Sequence, residues 1–241
     1  MQRLFIVLVF IFFTQGFAED WQRVYLASYP RSGNHWMRFL IEEATHIATS
    51  SVYRDPDKPH LPQLFPWMGY CADHGYDRKC RYPGKGEVVV VKTHFPHLVR
   101  EPGDELPFVK VVHIVRHPVD SLYSLYCHSQ NGHPSTPVMP RATLMGFIHG
   151  LRKFEGYWET KENVLTLRYE DLQQDPYSSL KSVLDFIGYR VTEEDIRRAI
   201  DKYPPGGNML KHLSCFPEKD LEYIENELQD FMHKHDYHIP F

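Results

Sequence analysis

The sequence predicts an α/β fold of three layers, with a central parallel sheet and a P-loop-like phosphate-binding turn. Three observations predict it. Residues 23–44 read as a short apolar strand, a tight turn containing Gly33 and an amphipathic helix. Residues 87–93 (Glu-Val-Val-Val-Val-Lys-Thr) and 109–115 (Val-Lys-Val-Val-His-Ile-Val) are nearly continuous β-branched runs, as in strands covered on both faces. Helical patterns follow these strands in alternation.

The first strand spans 23–28, and the helix after it runs from Trp36 and is expected to end near Thr49. Between them lies Tyr29-Pro30-Arg31-Ser32-Gly33-Asn34-His35-Trp36. A turn of this kind points unpaired backbone N–H groups at one spot, with the positive end of the helix dipole behind them. That is an anion site suited to a phosphate. Arg31 adds a charge, and Ser32, Asn34 and His35 add donors. The stretch is not a Walker A loop, because Gly-x-x-x-x-Gly-Lys-Ser/Thr does not occur in the chain.

Residues 50–86 carry Pro56, Pro59, Pro62, Pro66 and Pro83, which break regular structure. Their aromatics and two cysteines favour an ordered loop near the active site. After the two valine-rich strands, helices are expected at 118–128, with Pro118 in the first turn, and at 142–161. A short strand follows at 164–167. Further helices are expected at 177–187, ended by Gly188, at 192–202, opened by three acids, and at 218–233.

At 241 residues the chain fits one domain, and its formal charge of −4 argues against a general nucleic-acid binder. Residues 1–18 have the form of a signal peptide: Arg3, ten apolar residues, then Gly16-Phe17-Ala18. Ten apolar residues are too few to span a bilayer, and no second long run follows. The mature chain, 19–241, is therefore expected in the secretory lumen or outside the cell, without a stable membrane span. The four cysteines lack zinc-site spacing and permit two disulfides.

In such sheets the ligand lies at the carboxyl ends of the strands. Those ends carry Arg31, Lys92-Thr93-His94, Arg116-His117-Pro118 and Arg168-Tyr169-Glu170-Asp171. In this order they resemble the sulfotransferase family that uses 3′-phosphoadenosine 5′-phosphosulfate (PAPS). The first turn resembles the family's 5′-phosphosulfate loop. Arg116, followed eight residues later by Ser124, resembles its 3′-phosphate motif. Lys92-Thr93-His94 resembles the strand that carries the catalytic base, and Arg168-Tyr169-Glu170-Asp171-Leu172 resembles a segment near the adenine. The chain departs from the family's pattern in three places. Arg31 stands where cytosolic members usually have Lys, Asn34-His35 replaces Thr-Thr, and Gly206–Lys211 occupies the place of an Arg-Lys-Gly motif.

The resemblance implies in-line transfer of a sulfuryl group from PAPS to a hydroxyl acceptor (glycan, tyrosine or small molecule), leaving PAP and requiring no metal. It makes His94 the general base, with Glu42 and Glu43 as alternatives. Arg31 meets the leaving-group charge, and Lys92 orients the sulfonate. Arg31, Ser32, Gly33, Asn34, His35 and Trp36 hold the 5′ side, with Trp36 stacked on adenine and Tyr169 at the base edge. Arg116, Ser124 and Lys211 share the 3′-phosphate. If Ser124 and Lys211 both face that phosphate, Cys127 is brought near Cys215. The expected disulfides are therefore Cys127–Cys215 and, closing a short loop, Cys71–Cys80. Two other readings remain: a P-loop small-molecule kinase, and a degenerate sulfotransferase fold that binds without turnover.

Overall fold

The computed structural model describes residues 22–53, 80–81, 83–84, 86–97, 108–132 and 138–241. The expected signal peptide, Cys71 and most of the proline-rich stretch lie outside the described residues.

Five strands, β1 (Gln22–Ser28), β2 (Ser50–Ser51), β3 (Val88–Thr93), β4 (Lys110–Val115) and β5 (Val164–Arg168), form one sheet in the order β2-β3-β1-β4-β5. Every pairing is parallel, with Val24 opposite Val90 on one side and Lys110 on the other. The helices are α1 (Asn34–Thr45), α2 (Pro118–Ser129), α3 (Arg141–Trp158), α4 (Tyr169–Gln174), α5 (Pro176–Ile187), α6 (Glu193–Lys202), α7 (Glu218–Glu227) and α8 (Gln229–Lys234).

Alternation along the strands sorts the core into two slabs. Val24, Leu26, Val90, Val112 and Ile114 face α1, α5 and α6 through Met37, Leu40, Leu180, Val183 and Ile196. Tyr25, Ala27, Val89, Val111 and Val115 face α2, α3, α7 and α8 through Leu122, Leu151, Phe154, Trp158 and Ile224. Each such aliphatic side chain taken fully from water contributes about 1.5–3 kcal/mol. Two buried faces explain why β1, β3 and β4 read as apolar runs without polar alternation.

The expected strands agree with the observed ones to within a residue. Helix ends are set by local chemistry. Thr192 and Asp195 close a capping box at the start of α6, Asp175 caps α5 by accepting from the Ser178 N–H, and Gly188 ends α5 at φ 95°.

Five details differ from expectation. The 142–161 helix spans Arg141–Trp158 and ends in a turn in which the Lys161 N–H donates to the Trp158 carbonyl at 3.1 Å. The first helix begins at Asn34, two residues early, because Gly33 at φ 100° supplies the entry turn. It ends at Thr45 rather than near Thr49. His46 takes a left-handed conformation, and the Thr49 N–H is claimed by the Glu42 carboxylate at 2.8 Å. The 218–233 helix is two helices that part at Leu228, which is itself buried. The short strand β2 and the short helix α4 were not legible as elements in the sequence.

Candidate active site

The carboxyl ends of β1, β3, β4 and β5 meet above the sheet. The loop after β1 is a turn closed by the Ser32 N–H on the Tyr29 carbonyl at 3.2 Å, and Met37 N–H on the Gly33 carbonyl starts α1. Arg31 has φ 69° and Gly33 φ 100°. This left-handed pair turns the chain sharply enough to present backbone N–H groups at the mouth of the helix. Gly33 is also a close-approach position: a Cβ there would stand 2.4 Å from the Tyr169 ring. Ser32 is buried in the turn. The Asn34 side chain points back into the scaffold, donating to Leu26 O at 2.8 Å and Ser28 Oγ at 3.2 Å, so its amide nitrogen is engaged by β1.

The loop and the Arg116 motif are joined directly. Arg31 Nε donates to Ser124 Oγ at 3.1 Å, and Arg116 Nη1 donates to the Arg31 carbonyl at 2.8 Å. The Arg116 guanidinium lies over the Tyr169 ring, 4.5 Å from its centroid. Its Nη2 stands 3.7 Å from Asp120 Oδ2, and its buried Nε has no hydrogen-bond partner. Trp36 meets Tyr169 edge-on at 5.8 Å, and its indole N–H is anchored on the Tyr203 carbonyl at 2.9 Å. Arg31, Arg116, Ser124, Trp36 and Tyr169, drawn from three separate segments, therefore form one contiguous group.

At the end of β3, Lys92 Nζ lies 2.8 Å from His35 Nε2. An ammonium only donates, so Nε2 of His35 accepts and its proton sits on Nδ1. His94 is buried, with Nδ1 2.7 Å from the Ser28 carbonyl. A carbonyl only accepts, so Nδ1 carries the proton and Nε2 keeps its lone pair. Burial, followed by the nearby Lys92 charge, pushes the His94 pKa well below its ordinary 6.5. Tyr53 fixes the residue from the other side. Its hydroxyl oxygen accepts the His94 N–H at 2.7 Å, and its ring stacks on the imidazole at 5.7 Å. The alternative bases are committed elsewhere. Glu42 is wholly buried and accepts from the Thr49 N–H and hydroxyl, while Glu43 pairs with Arg198 at 3.4 Å and Lys202 at 2.8 Å.

Lys211 is exposed, on a loop held to α2 by the Asp120 carboxylate, which accepts from Leu210 N at 2.9 Å and His212 N at 3.2 Å. The expected Cys127–Cys215 bridge is absent: both thiols are free. The two are neighbours, as the placement of Ser124 and Lys211 suggested, but Cys215 shares a hydrogen bond with the Tyr123 hydroxyl. Sequence reasoning did not find Tyr53 or His212, and it offered Asp120 only as a carboxylate that could pair with Arg116. That pairing is present, at 3.7 Å, but the hold of Asp120 on the 210–212 loop had no local signal.

A model of the sulfotransferase domain matches residues 22–204. Cytosolic sulfotransferase 14 of Arabidopsis thaliana is 29% identical over 203 residues, which cover 74% of this chain and 57% of that protein. Flavonol 4′-sulfotransferase of Flaveria chlorifolia is 27% identical over 207 residues, covering 77% of this chain and 61% of that one. The chain thus spans somewhat over half the length of these curated relatives. A mouse sulfotransferase crystallised with PAP shares the fold, with a TM-score of 0.55 over 88% of this chain and 85% of that one, at 18% identity. With three quarters of its length matched by the domain model, the chain belongs to the sulfotransferase domain family.

Proposed function

We propose that this chain transfers a sulfuryl group from PAPS to a hydroxyl acceptor by in-line displacement. The observation that carries the reading is the junction of the two anion motifs, in which Arg31 reaches Ser124 and Arg116 grips the Arg31 carbonyl. Two phosphate-binding segments that touch suit one ligand with phosphates at both ends of a nucleoside. The unpartnered, buried Arg116 Nε is a donor awaiting an acceptor, and it fits a 3′-phosphate.

PAPS, when bound, supplies an activated sulfuryl group and a phosphate leaving group. Arg31 and the N–H groups of its turn stabilise the charge that builds on the departing phosphate, the role in which one donor typically matters by about a hundredfold or more in rate. His94 Nε2 takes the acceptor's hydroxyl proton, and Ser28 and Tyr53 fix the tautomer and the plane of its ring. Lys92 holds positive charge beside His94, orients the sulfonate and keeps the imidazole unprotonated. Arg116, Ser124 and Lys211 hold the 3′-phosphate, and Trp36 and Tyr169 flank the adenine.

The acceptor class is a hydroxyl on a glycan, a tyrosine or a small molecule. The expected leader at residues 1–18 supports a secretory location. The bridge expected for Cys80 is with Cys71, which lies outside the described residues, and it requires an oxidising compartment. Among the described residues no helix is long and apolar enough to cross a membrane.

The test is an acceptor screen with sulfur-labelled PAPS, run beside a thermal-shift assay. Label transfer to a hydroxyl compound, and a Tm raised by PAP but little by ATP, are expected. A Tm raised by PAP with no transfer across glycan, tyrosine-peptide and phenol panels would replace this reading with that of a binding protein.

A further inference from the structure

The chain lacks the Arg-Lys-Gly segment of its family, yet the loop in that place is held firmly. Gln173 Nε2, at the end of α4, donates to the Gly206 carbonyl at 2.8 Å. At the loop's other end the Asp120 carboxylate, only 2% exposed, accepts three hydrogen bonds from it. Leu210 N donates to Oδ2 at 2.9 Å, His212 N to Oδ1 at 3.2 Å, and His212 Nδ1 to Oδ1 at 3.0 Å. Leu210 adopts φ 54°, a conformation that a leucine keeps only when its surroundings hold it there. The same carboxylate lies 3.7 Å from Arg116 Nη2, and the His212 ring packs on Tyr123, 5.1 Å away, one residue before Ser124. Lys211 sits between the two clamped residues, and both Lys211 and Arg31 act electrostatically on the Cys127 thiol.

We infer that Asp120 is a positioning residue that builds the 3′-phosphate pocket, orienting Arg116 through one oxygen and fixing the 210–212 loop, and with it Lys211, through both. The inference rests on the PAPS reading above. A buried carboxylate suits this task because it satisfies the loop's N–H groups without competing for the phosphate. Burial by itself raises its pKa, but the His212 hydrogen bond and the Arg116 charge outweigh that and hold it below 3.8, so it is ionised at neutral pH. The loop and α2 are joined across 90 and 92 residues of sequence, so the pocket is assembled only in the folded chain.

The experiment compares PAP with adenosine 5′-phosphosulfate, which lacks the 3′-phosphate, by calorimetric titration of the wild type, Asp120→Asn, Lys211→Ala and the double variant. In Asp120→Asn an acceptor oxygen becomes a donor that faces N–H groups. PAP is expected to weaken roughly ten- to a hundredfold, with adenosine 5′-phosphosulfate changed less than twofold. In the Lys211→Ala background the same substitution is expected to lose PAP affinity by a distinctly smaller factor, because the two act together. If Asp120→Asn does not fold, His212→Ala, which removes one of the three hydrogen bonds, is expected to show a smaller loss of the same selectivity. Equal weakening of both ligands, or fully independent effects of Asp120 and Lys211, would overturn the inference while leaving the PAPS reading intact. A wild type that does not bind PAP would overturn both.

Discussion

His94 shows how a single ring is prepared for proton transfer. Its Nδ1–H is tied to the Ser28 carbonyl, and its burial beside Lys92 disfavours the imidazolium. His94→Ala is expected to lower kcat by roughly 10²–10⁴-fold while leaving PAP affinity nearly unchanged, as measured by steady-state kinetics and titration. Because the pKa is lowered, the neutral base persists as pH falls through 6.5, so the acid limb of the kcat/KM profile attributable to this group should lie below that value. An acid limb centred at or above 6.5 would assign the base role to another group. The cations at the strand ends were legible in the sequence because each follows an apolar run at a fixed place. Tyr53 was not, since its contact with His94 spans 41 residues and no local pattern encodes it.

The turn between β1 and α1 carries two constraints at one glycine. Gly33 has φ 100°, and a Cβ there would meet the Tyr169 ring at 2.4 Å. Gly188, at the end of α5, has φ 95° with nothing near its hypothetical Cβ. Gly188→Ala is therefore expected to cost about 1–3 kcal/mol from backbone strain alone, with PAP binding unaltered. Gly33→Ala is expected to cost more and to weaken PAP as well, because displacing Tyr169 disturbs the Arg116 guanidinium packed on it. Urea titration and PAP binding on both variants check the pair. Equal effects at the two sites would mean that Tyr169 yields freely. Elements that bury two faces or carry their own caps were legible, as β3, β4 and α6 were. β2 is only Ser50–Ser51 and exists because β3 offers an edge, while α4 is too short to display a helical period.

The folded molecule as a whole is set against acid by its histidines. Burial lowers the pKa values of His94, His97 and His117, and brings that of His235 down to about 4. Below about 6.5 the unfolded chain takes up protons that these rings refuse, so stability falls as pH drops from 6.5 toward the folded pKa values. Further down, the Glu87 and Asp195 carboxyls, held at about 2 by Arg81 and by Thr192 respectively, lose their contribution as they are protonated. Both side chains are partly open to solvent, which screens these interactions and keeps their share small. The midpoint of urea unfolding is expected to decline between pH 7.5 and 5. A constant midpoint over that interval would mean that the rings are solvated in the native state.

The position of β1 has a consequence for synthesis. It lies at the middle of the sheet, yet its two neighbours are β3 and β4, which end at Thr93 and Val115. Of the five described strands, the one synthesised first is the one that must wait for both partners. At 5–20 residues per second the interval between Ser28 and Val115 is on the order of 4–17 s. Until β3 is complete at Thr93 the apolar ribbon from Val24 to Ala27 has no neighbouring strand, and throughout the interval the phosphate turn at its end has no opposing Ser124 to meet. The nascent chain thus depends on whatever shields that ribbon until β4 arrives, and the anion site is among the last features of the molecule to come into being.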